Sequence, residues 1–296
     1  MNLCLGTVQF GLDYGIQGNG KPQFEDVSNI LTYSIEHGIS HFDTASAYGE
    51  AEDVLGHYIK TNPDKAKEMQ IISKLKPDAF NEITKNEWAK AAVDGARSSL
   101  ERIGIDHFSA YLFHNASYIF DEDAVKSLYS VKQNGLADRI GVSIYTPEEA
   151  MKALEYKEIG AIQIPYNVFD RRLDKCGFFD KAMDNGVTVY ARSSLLQGLA
   201  VMDPGNLPDR VSFAKDYLVG YDKLCKEFSI PRLNASIAYV SRKRGIDFVV
   251  FGVDNLTQLE EYISIEDNAI PDELINRIDD LFMDVPEKLV NPVLWK

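Results

Sequence analysis

The chain has 296 residues, of which 45% are hydrophobic, and this size and composition are typical of a globular protein that buries a sizeable core. Its 31 lysine and arginine residues against 45 aspartate and glutamate residues give a formal net charge of −14. That balance argues against nucleic acids or anionic membranes as main partners, because both attract cations. It does not argue against a small phosphate-bearing ligand, which needs only a local basic patch.

The sequence carries no recognisable targeting segment. The first four residues place no basic region ahead of an apolar stretch, as a signal peptide would, and no run approaches the about 18 apolar residues of a membrane span. Cys4, Cys176 and Cys225 are odd in number and far apart, which fits a reducing compartment. We therefore expect a cytoplasmic protein that does not bind membranes.

In chain order, short runs rich in β-branched residues alternate with stretches whose apolar residues recur at helical spacing. That spacing is clear at residues 27–35 and 88–100. The predicted strands are residues 3–7, 39–43, 70–74, 108–113, 139–143, 161–165, 187–191 and 247–251.

Eight strands, each followed by a helix, predict a parallel sheet that closes into a (β/α)₈ TIM barrel. Helix punctuation agrees, since Gly38 follows the first long helical stretch and Thr146-Pro147 opens another. The competing doubly wound sheet commonly carries a glycine-rich first turn, and no G-x-G-x-x-G occurs. Without a linker or repeat, we expect one domain over residues 1–296, and a monomer, given so acidic a surface.

The longest gap between predicted strands lies between the seventh and the eighth. It holds two helical patterns, at residues 211–228 and 231–243, which a barrel accommodates as an excursion. The tail after Phe282 is expected to be irregular.

Polar side chains stand at the ends of three consecutive strands, where a barrel of this kind forms its active site. Asp43 closes the second strand, with Tyr48 just beyond it; Lys74 closes the third, and His114 follows the fourth. Each alone has an ordinary explanation, as a helix cap, a packed ring, a solvated charge or a structural imidazole. Four such groups converging on one rim is much less probable by chance, so we predict that they form the active site.

Together these four groups suit the reduction of a carbonyl group. A tyrosine phenol, with an ordinary pKa of about 10, is a weak acid on its own. A neighbouring ammonium group stabilises the phenolate, and a carboxylate holds the ammonium in place. A histidine can orient the carbonyl oxygen or share the proton.

The stretch FDTASAYG at residues 42–49 resembles the signature of the aldo-keto reductase family. Residues 72–74 and 112–114 resemble the same family's lysine and histidine segments, and residues 5–7 and 251–253 also match in place. The resemblance implies a barrel enzyme that reduces an aldehyde or ketone to an alcohol with NAD(P)H. Tyr48 would donate the proton, Asp43 and Lys74 would tune it, and His114 would orient the carbonyl.

The resemblance also implies an extended NADP(H) across the barrel mouth, bound without a Rossmann motif. Ser143 and Gln163 match the residues that hold the nicotinamide carboxamide, and Asn167 matches a neighbouring pocket position. Residues 193–198 match the loop along the pyrophosphate, and residues 252–261 the segment around the adenosine. The remaining cofactor-binding positions implied are Gly6, Thr7, Arg192, Ser193, Leu195, Gln197, Gly198, Gly252, Val253, Asp254, Gln258 and Glu261.

Three positions depart from the family pattern. Ile144 stands where an asparagine is usual, and Arg192 stands where an aromatic ring commonly stacks on the nicotinamide. A planar guanidinium can also stack on a ring, and we predict that Arg192 stacks on the nicotinamide. Asp254 stands where a basic residue often meets the 2′-phosphate, so it disfavours NADP(H) while suiting a ribose hydroxyl. Residues 242–244, Arg-Lys-Arg, either supply the missing charge or are a solvated helix end. NADP(H) is expected on family grounds, with NAD(H) as the alternative.

Other functions remain open. Lys74 could form a Schiff base in a barrel aldolase, and a cofactor-binding regulatory protein with little turnover would keep the same fold. The histidines lack ligand-pair spacing, so no metal site is predicted. The segment 193–199 resembles a bacterial subgroup linked to sugar metabolism, which suggests a sugar-derived aldehyde. Candidates for the pocket wall are Tyr14, Asn115, Tyr118 and Trp295.

Overall fold

Eight parallel strands close into a barrel in the computed structural model, which describes residues 1–16 and 20–295. The strands pair in chain order, and β8 pairs back with β1. The predicted (β/α)₈ barrel is therefore confirmed, and every predicted strand overlaps an observed one. The strands are β1 Leu3–Gly6, β2 His41–Asp43, β3 Gln70–Leu75, β4 Phe108–Phe113, β5 Ala137–Ser143, β6 Ile159–Pro165, β7 Thr188–Arg192 and β8 Phe248–Phe251.

Helices surround the barrel. Within the described residues, no helix is both long enough and apolar enough to cross a membrane. The helices are α1 Val8–Gly11, α2 Phe24–Glu36, α3 Ala51–Thr61, α4 Pro63–Ala66, α5 Lys85–Ile103, α6 Glu122–Gln133, α7 Pro147–Ala153, α8 Phe178–Asp184, α9 Lys215–Glu227, α10 Arg232–Ser241, α11 Leu256–Ile263, α12 Asp272–Leu281 and α13 Glu287–Val290.

The helix ends follow local sequence signals. Thr146 and Glu149 form a capping box at the start of α7, with Pro147 in the first turn, as the sequence indicates. The two helices predicted between β7 and β8 are present as α9 and α10. The first begins late, because residues 209–214 form a 3₁₀ helix.

The prediction of an irregular tail is wrong for residues 287–294. This segment contains α13 and a 3₁₀ helix, each opened by a proline. Trp295 is buried behind them, and its indole N–H donates to the carbonyl of Lys288 at 2.6 Å. Burial of this ring fixes the short helices, which their own propensity would not do.

The barrel interior is apolar in its middle and polar at the carboxyl ends of the strands. A separate core of small and branched side chains fills the middle, including Cys4, Ile72 and Ala161. Strand side chains alternate, so the next inward residues on β3 and β6 are Lys74 and Gln163. Alternation thus places the polar layer directly above the apolar core.

Close strand contact makes one glycine of the barrel indispensable. A Cβ on Gly141 in β5 would overlap the carbonyl oxygen of Ala161 and lie 2.9 Å from Leu112 Cδ2. The β5–β6 register also shifts between Ile140 and Gly141. At Gly160 in β6, an added Cβ would meet only the side chain of Arg139, at 3.4 Å or more.

Gly141→Ala is expected to lower the free energy of unfolding by about 3 kcal/mol, because backbone atoms cannot move aside as a side chain can. Gly160→Ala is the matched control, with an expected change within about 0.5 kcal/mol. Urea unfolding followed by circular dichroism measures both. Equal losses in the two variants would contradict this account of the barrel packing.

Candidate active site

A buried ion pair between Lys74 and Asp43 forms the floor of the candidate site. Asp43 ends β2 and Lys74 lies in the neighbouring β3, so both inward side chains meet inside the barrel. Lys74 Nζ lies 2.7 Å from Asp43 Oδ1 and donates to the carbonyl of Thr44 at 2.9 Å. Lys74 is fully buried, and Asp43 is 4% exposed. Either charge alone would be costly at this depth, so each side chain holds the other in place.

Tyr48 completes the coordination of this ammonium group. Its hydroxyl oxygen accepts a hydrogen bond from Lys74 Nζ at 3.3 Å. The turn that carries it is tight: the amide of Tyr48 donates to the carbonyl of Ala45, and Gly49 adopts φ +56°. Gly11 packs so closely that a Cβ there would overlap the carbonyl oxygen of Tyr48. Gly11 and Gly49 therefore allow the tight turn that places the Tyr48 hydroxyl beside the ion pair.

Burial and charge act in opposite directions on these groups. Burial raises the pKa of Tyr48, and the nearby Lys74 ammonium opposes that rise without overcoming it. For Lys74, burial acts to lower the pKa, but Asp43 and Tyr48 outweigh it and the pKa is raised. At neutral pH the site therefore holds a protonated phenol beside a charged ammonium. The lysine acts on the phenol in the direction that the sequence analysis expects, but burial has the larger effect.

A chain of hydrogen bonds extends the polar layer around the barrel. Gln163 Nε2 donates to Asp43 Oδ1 at 2.7 Å, and Ser143 Oγ donates to Gln163 Oε1 at 3.1 Å. Gln163 is fully buried and Ser143 nearly so. Asp43 therefore accepts from both Lys74 and Gln163, which fixes the carboxylate between two strands.

Arg192, at the end of β7, continues this chain at the rim. Its Nε donates to Ser143 Oγ at 3.3 Å and its Nη2 to the carbonyl of Ile144 at 2.9 Å. The guanidinium carbon lies 4.5 Å from the ring centroid of Tyr145. The arginine is thus anchored to β5 by its edge and to Tyr145 by one face.

His114 stands edge-on to Tyr48, with 5.6 Å between the ring centroids and 90° between the planes. Its Nδ1 is buried and has no hydrogen-bond partner among the residues that the structure describes. Burial, with smaller contributions from Lys74 and Arg192, lowers the pKa of His114 to about 3. The imidazole is therefore neutral at physiological pH, and it can orient a polar ligand without being a proton reservoir.

These side chains open into a cleft of about 660 Å³, the volume of a small-molecule or cofactor site. Asp43, Tyr48 and His114 line one end, and Asp254, Gln258 and Glu261 line the opposite, acidic end. Between the ends run segments after β1, β7 and β8. The other predicted positions that line the cleft are Gly6, Ser143, Arg192, Ser193, Leu195, Gln197, Gly198 and Gly252.

Five predicted residues do not line the cleft. Lys74 and Gln163 lie beneath it, within the polar layer. Thr7 is buried, and its hydroxyl donates to the carbonyl of Asp43 at 3.1 Å; Val253 is buried as well. Asn167 supports the β7 loop, because its Nδ2 donates to the carbonyl of Ser193 at 3.1 Å. These residues shape the site from behind.

The loop after β7 adopts a strained path along the cleft. Ser193, Leu196 and Gln197 have φ values of +60°, +51° and +57°, although none is glycine. Such conformations cost free energy and persist where neighbouring contacts hold them. Asn167 provides one such contact, and Ile16 provides another by donating its amide to the carbonyl of Gln197 at 3.4 Å.

The acidic end of the cleft is organised by α11. Gln258 Oε1 accepts from the amide of Asp254 at 2.8 Å, and Asn255 caps the helix. Burial raises the pKa of the adjoining Tyr262, and the charges of Asp254 and Glu261 add to the rise. Among the described residues lining the cleft, Arg192 is the single lysine or arginine, and it lies at the other end.

Residues 242–244 do not supply a positive charge to the cleft. They line a separate cavity of about 300 Å³. There Lys243 Nζ pairs with Asp174 Oδ1 at 2.7 Å, and Arg242 donates to the carbonyl of Ile270 at 2.6 Å. Arg242 and Arg244 are exposed at the end of α10, which agrees with the second alternative from the sequence, a solvated helix end.

Gln9 and Tyr145 are among the lining residues that sequence reasoning missed. Gln9 Oε1 is buried without a hydrogen-bond partner within residues 1–16 and 20–295, and a Cβ on Gly252 would overlap it. No motif separates a glutamine after the first strand from an ordinary polar loop residue. Of the four candidates for the pocket wall, Tyr14 lines the cleft, whereas Asn115, Tyr118 and Trp295 do not.

Comparisons with known proteins agree with this geometry. A sequence model described as "Aldo/keto reductase family" matches residues 2–282. L-glyceraldehyde 3-phosphate reductase of Escherichia coli K12 is 29% identical over 185 residues, 57% of this chain and 53% of the relative, so the match spans about half the relative's length. The NADH-specific methylglyoxal reductase of the same organism is 23% identical over 256 residues, 77% of this chain and 78% of the relative. A crystal structure described as that of an aldo-keto reductase from Pseudomonas aeruginosa superposes with a TM-score of 0.68 at 22% identity, over 91% of this chain and 90% of the other.

The lowered pKa of His114, about 3, makes part of the folding stability dependent on pH. An unfolded histidine titrates near pH 6.5, so this contribution is complete above that pH and is lost as the pH falls toward 3. Between pH 7 and pH 5, His114→Asn is expected to lose about 2 kcal/mol less unfolding free energy than the natural protein. Urea unfolding at the two pH values measures this. The exposed His107→Asn is the control, and a result for His114→Asn like that of the control would contradict the assignment of a neutral imidazole.

Proposed function

Because the chain belongs to the Aldo/keto reductase family, we propose that it reduces a small aldehyde or ketone to an alcohol with a nicotinamide nucleotide. One observation carries the proposal: the Tyr48 hydroxyl lies 3.3 Å from the buried ammonium of Lys74 at the reacting end of a cleft of about 660 Å³. A phenol so placed can give a proton to a carbonyl oxygen while the adjacent charge stabilises the phenolate left behind.

The protein's own groups divide the work as follows. Tyr48 donates the proton to the carbonyl oxygen, and Lys74 stabilises the negative charge that develops on the phenol oxygen. Asp43 and Gln163 are positioning residues, since Asp43 accepts from the ammonium group and Gln163 donates to the carboxylate of Asp43. His114, neutral and with a buried Nδ1, orients the carbonyl oxygen toward the phenol. A bound nicotinamide would supply the hydride to the carbonyl carbon.

The cleft suits a nicotinamide nucleotide in several respects. Its glycines at positions 6, 198 and 252 leave backbone accessible, and Gln9 presents an acceptor oxygen without a protein partner. Ser143 would meet the carboxamide, and the loop of residues 193–198 would follow the pyrophosphate. The side-chain amide of Gln163 already donates to Asp43 and accepts from Ser143. We therefore assign Gln163 to supporting Ser143.

We propose NAD(H) as the preferred cofactor, in place of the NADP(H) expected from the family pattern. The 2′-phosphate of NADP(H) carries nearly two negative charges, and it would enter the acidic end of the cleft beside Asp254 and Glu261. Residues 242–244 face a different cavity and cannot offset these carboxylates. A relative named as NADH-specific is 23% identical to this chain, which is compatible with this choice.

Two rival functions are less well supported. A Schiff-base aldolase needs a neutral lysine amine. The pKa of Lys74 is raised, and its ammonium group donates hydrogen bonds to Asp43, Thr44 and Tyr48. A regulatory protein would not need the proton-donating geometry.

Two relatives bear the names of reductases of glyceraldehyde 3-phosphate and methylglyoxal. We therefore propose small, oxygen-rich aldehydes as the substrate class, and sugar-derived aldehydes belong to it.

Tyr48→Phe tests the proposed reduction directly. The substitution removes the proton donor, and kcat with methylglyoxal is expected to fall by a factor of about 10²–10⁴ while nucleotide binding is retained. Tyr14→Phe removes a second phenol from the same cleft and is expected to leave kcat within about threefold. Oxidation of NADH followed at 340 nm gives both values. Equal effects of the two variants, or undiminished turnover by Tyr48→Phe, would exclude Tyr48 as the proton donor.

Asp254→Asn tests the cofactor preference. Removing one carboxylate from the acidic end is expected to strengthen NADPH binding about fivefold while leaving NADH binding nearly unchanged, because only NADPH carries the repelled phosphate. Glu260→Gln, on the adjoining helix α11 but outside the cleft lining, removes an equal charge as the control. Fluorescence titration gives the dissociation constants. Tighter binding of NADPH than NADH by the natural protein would overturn the proposed preference.

A further inference from the structure

The guanidinium group of Arg192 is fixed in orientation by its edge. Nε donates to Ser143 Oγ at 3.3 Å, Nη1 to Ser193 Oγ at 3.3 Å and Nη2 to the carbonyl of Ile144 at 2.9 Å. All three nitrogens therefore donate to the protein. Tyr145 covers one face. What the group can still offer to the cleft is its remaining face, its charge and one further N–H on each of Nη1 and Nη2.

This charge lies at the reacting end of the cleft. Arg192 is connected through Ser143 and Gln163 to Asp43 by successive hydrogen bonds. Its charge also contributes to lowering the pKa of His114 and opposes the rise in that of Tyr48. Because the charges of Lys74 and Asp43 cancel, the charge of Arg192 makes this end of the cleft positive overall.

We propose that Arg192 makes the protein distinguish the two oxidation states of the nicotinamide ring, binding the oxidised nucleotide more weakly than the reduced one. The inference rests on the proposed function, since hydride transfer requires the ring to lie at this end. The oxidised ring carries a positive charge, which the guanidinium repels at close range. The reduced ring is neutral and electron-rich, so a cation over its face attracts it.

A different role for Arg192, as a clamp for an anionic substrate, fits the geometry less well. A guanidinium clamps a carboxylate or phosphate with two parallel N–H donors on one edge. Here Nε and Nη2 donate to Ser143 and Ile144, and Nη1 donates to Ser193. The charge and one face are available to a ring, whereas the Nε–Nη2 edge, which suits a two-donor clamp, is already in use.

The proposal has a direct consequence for turnover. In the reduction, the carbonyl carbon gains a hydride from the reduced nucleotide, its oxygen gains a proton from Tyr48, and the ring is left with one positive charge. Arg192 therefore destabilises the product nucleotide and not the reactant nucleotide. Weak binding of the product nucleotide speeds its release, and product release limits kcat in many enzymes.

The test compares affinities for the two oxidation states in the natural protein, Arg192→Gln and Arg192→Lys. NADH binding is followed by its fluorescence, and NAD⁺ binding by displacement of NADH. The natural protein is expected to bind NADH more than about tenfold tighter than NAD⁺. Arg192→Gln is expected to reduce this ratio about tenfold, equivalent to about 1.4 kcal/mol, and Arg192→Lys to keep most of it.

Arg139→Gln is the matched control, because Arg139 lies on β5 near the opposite end of the barrel and the substitution removes the same charge. It should leave the ratio unchanged. Arg192→Met serves as a second neutral variant if Arg192→Gln does not fold. Failure of the natural protein to bind either nucleotide would refute the proposed function itself. Binding with equal affinity for both forms, a ratio unaltered in the neutral variants, or an equal loss in Arg192→Lys would overturn the role of the arginine charge alone.

Discussion

An ammonium group enclosed at the top of a barrel is stable only while a carboxylate partners it, and the Lys74–Asp43 pair meets that condition. The two residues lie on adjacent strands, so the pair exists only when β2 and β3 are correctly registered. Tyr48, Gln163 and the carbonyl of Thr44 all bond to one member or the other. Closure of the barrel therefore also assembles the cluster of Asp43, Lys74 and Tyr48.

Around this pair, the electrostatic balance is set more by burial than by charge alone. Burial raises the pKa of Tyr48 and lowers that of His114, so both remain neutral, while the ion pair keeps Lys74 charged. Positive charge near Tyr48 thus comes from Lys74 and Arg192. Negative charge lines the part of the cleft that follows β8, with Asp254 and Glu261. The cleft therefore carries charges of opposite sign in different parts.

The sequence predicted most of the architecture, because alternation and helical spacing are local signals that the barrel obeys. It also predicted the four polar residues, because strand ends converge wherever eight parallel strands close. Most of the predicted positions line the cleft, but the sequence could not separate them from the residues that lie behind it. The side chains of Asn167 and Gln163 donate hydrogen bonds to neighbouring protein groups, and residues 242–244 line another cavity. Gln9 and Tyr145 reach the cleft through tertiary contacts that no local pattern records.

The strained loop of residues 193–198 and the cluster of Asp43, Lys74 and Tyr48 occupy different parts of the chain: the loop follows β7, while the cluster rests on β2 and β3. The hydrogen bonds that connect them pass through Ser143 and Gln163. Substitutions in the loop can therefore accumulate over generations without displacing the cluster. In evolutionary terms, the cluster is inherited with the strands, whereas the loop is free to diverge.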